Sequence, residues 1–149
     1  MLDERTEKKY VLEMYEKYSE KAIDHARNPR NVGNIPKADG FGQESGECGD
    51  TMGIWVKVRD GVVTRATFWT DGCGATIACG SAVTELATGK TVEEAMAIDK
   101  EAVLEALDGL PEDHHHCAEL AAAALHSALE DYLELSRFPW KRPYLEKRA

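Results

Sequence analysis

Between Thr51 and Trp69 the chain spells out a β-hairpin. Met52, Ile54, Val56 and Val58 alternate with Gly53, Trp55 and Lys57, the period of a half-buried strand. Arg59-Asp60-Gly61 is a turn signal, and Val62 to Trp69 returns as a second strand. With Val58 opposite Val62, antiparallel pairing sets Asp50 opposite Thr70, so Cys48 and Cys73 leave the sheet at the same end. A slip of one residue would turn the side chains over without moving those ends apart. Asp50 lies two residues from Cys48, and in an extended segment residues i and i+2 point the same way. Its carboxylate is therefore expected to face the same point as the Cys48 thiol.

The rest of the chain reads as helices around that hairpin, without a repeat or a low-complexity linker, and 149 residues make one domain, 1–149, able to bury a core without disulfides. Tyr10, Val11, Met14, Tyr15, Tyr18 and Ile23 predict an amphipathic helix from about Glu7 to Arg27, stopped by Asn28-Pro29. Glycines at 33, 40, 42, 46 and 49, with Pro36, predict a loop over 29–49. A helix is expected from Cys73 to about Thr88, ended by Gly89, and Thr91-x-x-Glu94 is a capping box for another. Pro111 and Asp113 mark a further helix start, after which Cys117, Ala121, Leu125, Ala128 and Tyr132 form a stripe. Cys73 and Cys117 thus sit at helix starts, where backbone N–H groups and the helix dipole are expected to lower a thiol pKa.

Three of the four cysteines keep company that suits a soft metal: Cys48 in Gly46-Glu47-Cys48-Gly49-Asp50, Cys73 in Asp71-Gly72-Cys73-Gly74, and Cys117 after His116. Each has a plainer reading alone. Cys117 on an alanine-rich stripe reads as a small buried hydrophobe, Asp50 as a turn residue, and Cys73 as a reactive nucleophile. Together, with two thiols brought to one end of a hairpin, they read as metal ligands. Cys79, six residues beyond Cys73, is expected on another helix face and in a structural role. In the run His114-His115-His116 each side chain of a regular helix turns about 100° from the last, so three cannot face one ion. Only His116 adjoins a candidate thiol, and His114 and His115 are expected to be solvated. Asn28-Pro29-Arg30-Asn31 reads either as helix termination or as a docking turn.

Charge narrows the partners. A net charge of −9 argues against nucleic acid, whose phosphates need clustered Lys and Arg, and the basic residues Lys141, Arg142, Lys147 and Arg148 read as a solvated tail. The N-terminus has no apolar secretory core, and Leu120 to Leu125 is too short to span a bilayer. The expected setting is the cytoplasm, where four cysteines indicate metal or redox chemistry more than disulfides.

Several motifs in series resemble one family. Asn28-Pro29-Arg30-Asn31-Val32-Gly33, Cys48-Gly49-Asp50 with Met52, Gly72-Cys73-Gly74 with Ile77-Ala78 and Thr84-Glu85, Gly89-Lys90-Thr91 with Glu94-Ala95, and His116-Cys117 are similar to the iron–sulfur cluster assembly scaffolds that include IscU and the N-terminal domain of NifU. The resemblance covers about residues 17–135. It implies an α+β sandwich, a small antiparallel sheet with helices packed on one face. It also implies that Cys48, Cys73 and Cys117 hold a nascent [2Fe-2S] cluster built from iron, with Asp50 or His116 as fourth ligand, and that Zn²⁺ binds the same residues in the cluster-free form. A cysteine desulfurase would supply sulfur as a persulfide, with Cys117 the acceptor candidate; apo iron–sulfur proteins would receive the cluster, and a homodimer could hold it between two copies. An oxygen ligand is harder than a fourth thiolate and should exchange more readily, which suits a cluster meant to leave.

Two positions depart from the family pattern. Leu110-Pro111-Glu112-Asp113-His114 stands where chaperone-dependent members carry Leu-Pro-Pro-Val-Lys, and Cys79 stands where a small hydroxyl residue is common. A tail with Phe138, Pro139, Trp140 and Tyr144 lies outside the resemblance and is expected to pack on the domain, with contact to a partner as the alternative. The rival reading is a zinc-dependent sulfurtransferase resembling SufU, but the insertion such proteins carry before the last cysteine is not obvious between Cys73 and Cys117. A zinc hydrolase or deaminase would need His-x-Glu and Pro-Cys-x-x-Cys signatures, which the chain lacks.

Overall fold

The computed structural model describes residues 17–141 and 143. Its sheet has three antiparallel strands in the order β1 (Gly40–Ser45), β2 (Thr51–Arg59) and β3 (Val62–Thr70). The helices are α1 (Glu20–Arg27), α2 (Gly74–Ala87), α3 (Val92–Met96), α4 (Lys100–Ala106) and α5 (His115–Arg137), with 3₁₀ turns at Glu112–His114 and Pro139–Lys141. Helix α5 lies along β1 and β2, α2 lies on β3, and α1 packs on α2. The helices cover one face of the sheet, as the α+β reading requires. Met52, Ile54 and Val56 from β2 and Val63, Ala66 and Phe68 from β3 point into that layer and are fully buried. Helix α2 is built of small residues and buried on nearly every side, which lets Phe68 lie directly over Gly80.

The hairpin forms with a different register. Asp60 and Gly61 both have positive φ, 52° and 76°, so the turn has two residues rather than three and Arg59 pairs with Val62. A bulge between Lys57 and Val58 adds a second step, and Met52, not Asp50, faces Thr70. Two single-residue shifts preserve the faces, which is why the alternation still predicts the buried side correctly.

Strand β1 falls within the segment expected to be a loop. Its glycines are there for the helix above it: a Cβ on Gly40 would lie 2.3 Å from the Ala128 carbonyl oxygen, and one on Gly42 would lie 2.3 Å from the Ala128 amide nitrogen. Backbone packs directly on backbone here, a use of strand glycine that composition alone presents as loop. The Asp131 carboxylate of α5 accepts a 2.9 Å hydrogen bond from the Phe41 amide, covering a donor on this edge strand.

The first predicted helix is interrupted. Ser19 is an N-cap whose hydroxyl accepts from the Ala22 amide at 3.0 Å and donates to the Leu107 carbonyl, so α1 starts at Glu20; the part of the prediction over 7–16 lies outside the described residues. Asn28 ends the helix, and the turn after it is pinned to α2. The Arg30 amide donates to Ser81 Oγ at 2.9 Å, and Phe68 and Gly33 exchange backbone bonds with the turn and the strand. The tail does not pack on the domain as expected. Trp140 is 65% exposed, and Lys141 sits over the Phe138 and Trp140 rings while bonding Glu134; Tyr144 lies outside the described residues.

Gly42→Val should lower stability by about 1–3 kcal/mol or more by forcing α5 off the sheet. Gly74→Ala, whose Cβ would meet only Ala26 Cβ at 3.8 Å, should change it little. Urea unfolding midpoints measure both, and a wild-type midpoint for Gly42→Val would show that α5 does not seat this way.

Candidate metal centre

Three chain segments meet at one end of the sheet. The first is the five-residue connection 46–50, which joins β1 to β2 after Ser45 pairs with Thr51. Gly46 N–H donates to the Asp50 carbonyl at 2.8 Å and Gly49, at φ 85°, donates back to Gly46 at 3.0 Å. Cys48 is therefore at the exposed tip of a hairpin loop, not in an extended segment, and the i, i+2 argument for Asp50 does not apply. The second segment is the junction from β3 to α2. Asp71 Oδ1 accepts from the Thr51 amide at 2.8 Å, and Cys73 takes the N-cap position of α2. The third is the 3₁₀ turn leading into α5, which carries His114, His116 and Cys117.

Thr76 ties the three together. Its hydroxyl donates to Asp50 Oδ2 at 2.9 Å, with Cys117 Sγ at 3.4 Å and Cys73 Sγ at 3.7 Å. Gly72 makes room for this, since a Cβ there would lie 2.6 Å from Thr76 Cβ and 2.8 Å from Asp50 Oδ2. His116 Nε2 lies 3.0 Å from Cys48 Sγ and 3.6 Å from Cys117 Sγ. Cys48, Asp50, Cys73, His116 and Cys117 are thus linked by a continuous run of short contacts. Cys79 is elsewhere, fully buried in the core, where burial pushes its thiol well up.

Reading 114–116 as regular helix missed His114. Because Glu112–His114 is a 3₁₀ turn and α5 begins only at His115, the three imidazoles do not follow a helical fan. A ring nitrogen of His114 lies within 4.8 Å of both Cys73 Sγ and Cys117 Sγ. His114 is half-buried and its ring lies tilted against that of Tyr18, with centroids 5.8 Å apart. His115 is not simply solvated either, since its Nε2 bonds the Leu110 carbonyl at 2.9 Å. Pro111 before two acidic residues was the available sign that the turn precedes the helix proper.

The thiols differ in environment. Cys48 and Cys73 are exposed, whereas Cys117 is buried. Burial is the main reason the Cys117 thiol rises from 9.0 to about 11; the Thr76 hydroxyl opposes it, and the negative potential of Cys73, Asp50 and Cys48 adds to it. The expected lowering at a helix start is overridden here by desolvation. A thiol of that kind ionises readily only when a cation displaces its proton or a neighbouring base takes it. Three soft sulfur donors, imidazole and one carboxylate are a donor set for iron or zinc and not for calcium or magnesium.

A cluster of three thiols, imidazoles and a carboxylate at one end of a three-stranded antiparallel sheet covered by helices narrows the class of protein. The sequence profile of the NifU-like N-terminal domain matches residues 17–137, and the chain belongs to that family. It is 52% identical over 116 residues to the iron–sulfur cluster assembly scaffold protein IscU 1 of Archaeoglobus fulgidus, covering 77% of this chain and 76% of that one. It is 46% identical over 120 residues to IscU of Haemophilus influenzae, covering 77% and 94%. The crystal structure of a NifU-like N-terminal protein from Brucella abortus superposes with a TM-score of 0.67 at 18% identity, covering 78% of this chain and 94% of that one, a likeness of fold.

In metal-free protein, iodoacetamide should label Cys48 and Cys73 first, with Cys117 and Cys79 lagging until the pH approaches the Cys117 value of about 11. Thr76→Val should slow Cys117 further, because it removes the hydrogen bond that stabilises the thiolate. Peptide mass spectrometry across pH reads both, and equal labelling of Cys48 and Cys117 would contradict the burial difference. Since the folded chain keeps this proton to about 11 and an unfolded one releases it near 9.0, the thiol's stabilising contribution is full below pH 9 and lost as pH rises to 11.

Proposed function

We propose that this protein is a scaffold on which an iron–sulfur cluster is assembled and from which it is passed on. The observation that carries this reading is the convergence of Cys48, Cys73 and Cys117, with Asp50 and His116, from three segments distant in sequence. The names of the IscU relatives point the same way. Among the described residues no helix is long and apolar enough to cross a membrane, which is compatible with work in the cytoplasm.

The cargo we assign is a [2Fe-2S] cluster held by the three thiolates, with Asp50 or His116 in the fourth position. The ligands divide the labour by their surroundings. Buried Cys117 is an anchor screened from water, while Cys48 and Cys73 stand at the surface, where an acceptor's thiolates can replace them one at a time. Asp50, a hard oxygen donor already held by Thr76, offers a weak fourth bond that eases release. Sulfur would arrive on a cysteine desulfurase as a persulfide. Attack by Cys117 thiolate on the outer sulfur forms a new S–S bond, breaks the donor's, and leaves the desulfurase cysteine as thiolate; His116 Nε2, 3.6 Å from Cys117 Sγ, is placed to take the proton. Zn²⁺ on these residues would occupy the cluster-free form, and apo iron–sulfur proteins would be the acceptors.

Anaerobic reconstitution with iron, a sulfur donor and desulfurase should give a visible cluster chromophore in the native chain and lose it in Cys48→Ser, Cys73→Ser or Cys117→Ser. An unchanged spectrum removes that residue from the ligand set. Asp50→Ala should form a cluster that transfers more slowly to an apo-ferredoxin, and an equal rate would remove Asp50 from release. Zinc with sulfur-transfer activity, and no acid-labile sulfide in anaerobically purified protein, would instead establish a zinc-dependent sulfurtransferase.

A further inference from the structure

Three of the five exposed large apolar side chains among the described residues crowd the end of α5: Leu133 at 47% exposure, Phe138 at 37% and Trp140 at 65%. They are held in place. Lys141 Nζ donates to Glu134 Oε1 at 2.7 Å and sits over both rings, 4.9 Å from the Phe138 centroid and 5.6 Å from that of Trp140. The two rings meet edge-on at 6.3 Å. Order of this kind lowers the entropy lost when a surface docks. The surrounding charge is basic, since residues 137–149 carry Arg137, Lys141, Arg142, Lys147 and Arg148 against Glu146, a net +4 in a chain of −9. An exposed tryptophan beside arginines is the composition of an interface anchor, and this one calls for an acidic partner with an apolar recess.

The same molecule carries such a recess at the other end of α5. A cleft of about 260 Å³ between α1, the start of α2 and the turn before α5 is lined by Tyr18, Ala22, Ile23, Ala78 and Pro111, with Lys17 and Asp113 also on it. It has room for one large side chain rather than a drug-sized ligand, whose pockets start at about 300 Å³. Residues 105–113 lead up to it with Glu105, Asp108, Glu112 and Asp113, all exposed and with no Lys or Arg among them. Lys21, 3.7 Å from Asp108, offsets part of that charge. Trp140 cannot enter the cleft of its own chain. Helix α5 has 23 residues, about 33 Å of rise, and holds the tail and the cleft at opposite ends.

We propose that two copies of this chain associate, with the aromatic–basic tail of one protomer, led by Trp140, seated in the acidic-rimmed cleft of its partner. With the two α5 helices antiparallel, each protomer brings its tail to the other's cleft, so the contact is reciprocal and closes as a pair. Contacts limited to two tails fall below the about 1,200 Å² of a standard interface, and association is therefore weak and concentration-dependent. Cys73 also lines the cleft, so a seated tail covers that thiol and leaves Cys48 open on the β1–β2 loop. This pairing goes beyond the scaffold reading and needs neither metal nor cluster.

Analytical ultracentrifugation of the metal-free full chain, from about 1 μM to 1 mM at low salt, tests it. The native chain should be monomeric when dilute and move toward a dimer as concentration rises. Trp140→Ala, an exposed position where the fold does not depend on the side chain, should weaken association at least about tenfold. Trp69→Ala removes an exposed aromatic outside both surfaces and should associate as the native chain does. About 0.5 M salt should weaken the native pair by screening. In the unmutated chain, iodoacetamide should label Cys73 more slowly as protein concentration rises, with the Cys48 rate unchanged. A monomer at every concentration, association untouched by Trp140→Ala, or Cys73 labelling independent of concentration would overturn the assignment. A chain that pairs through Trp140 and assembles no cluster would count against the scaffold reading alone, whereas a strictly monomeric chain that assembles one would sink this pairing alone.

Discussion

Two missing side chains set the position of the cysteine cluster at the end of the sheet. At Gly40 and Gly42 the backbone of α5 rests on the backbone of β1, with no room even for a methyl group at either position. That contact fixes how far along the sheet α5 lies. From Ala128 back to Cys117 is eleven residues, about 16 Å of helix, and from Gly42 to Gly46 the strand advances about 13 Å in the same direction. Both arrive at one place, where Gly46 meets Leu120, one turn from Cys117. A side chain at Gly40 or Gly42 would lift the helix and separate Cys117 from Cys48 and Asp50.

Thr76 and Gly72 do locally what β1 does at long range. A glycine without bulk lets Thr76 reach Asp50, and the hydroxyl then connects an acid from the β1–β2 loop to thiols from α2 and α5. The site combines one buried, weakly acidic thiol with two exposed ones, and this asymmetry is physically apt for holding something temporarily. A centre with every ligand buried would bind firmly and release slowly. One with every ligand exposed would lose its contents to solvent.

The hairpin, both helix starts and the capping box at Thr91 were legible because each rests on local rules: alternation, a turn dipeptide, an N-cap with its partner three residues on. The bulge after Lys57 was not, since nothing in Val56-Lys57-Val58 distinguishes it from regular strand. Strand β1 was hidden because its glycines answer to a helix some ninety residues away, and local composition can only read them as loop. Cys48, Asp50, Cys73, His116 and Cys117 were singled out from their chemical company, and the structure brings all five to one end of the sheet. His114 was not found, because a helical fan was imposed on a stretch that begins as a 3₁₀ turn. The rise of the Cys117 thiol was likewise hidden, for the alanine stripe that seats α5 also buries the helix end where a dipole alone would have lowered it.

The central claim is that sulfur from three distant segments surrounds one metal centre. Iron-edge X-ray absorption on the anaerobically reconstituted chain tests it most directly. The account predicts a first shell dominated by sulfur with a nitrogen or oxygen contribution, together with iron–iron scattering. A shell of nitrogen and oxygen alone, without an iron–iron distance, would contradict it.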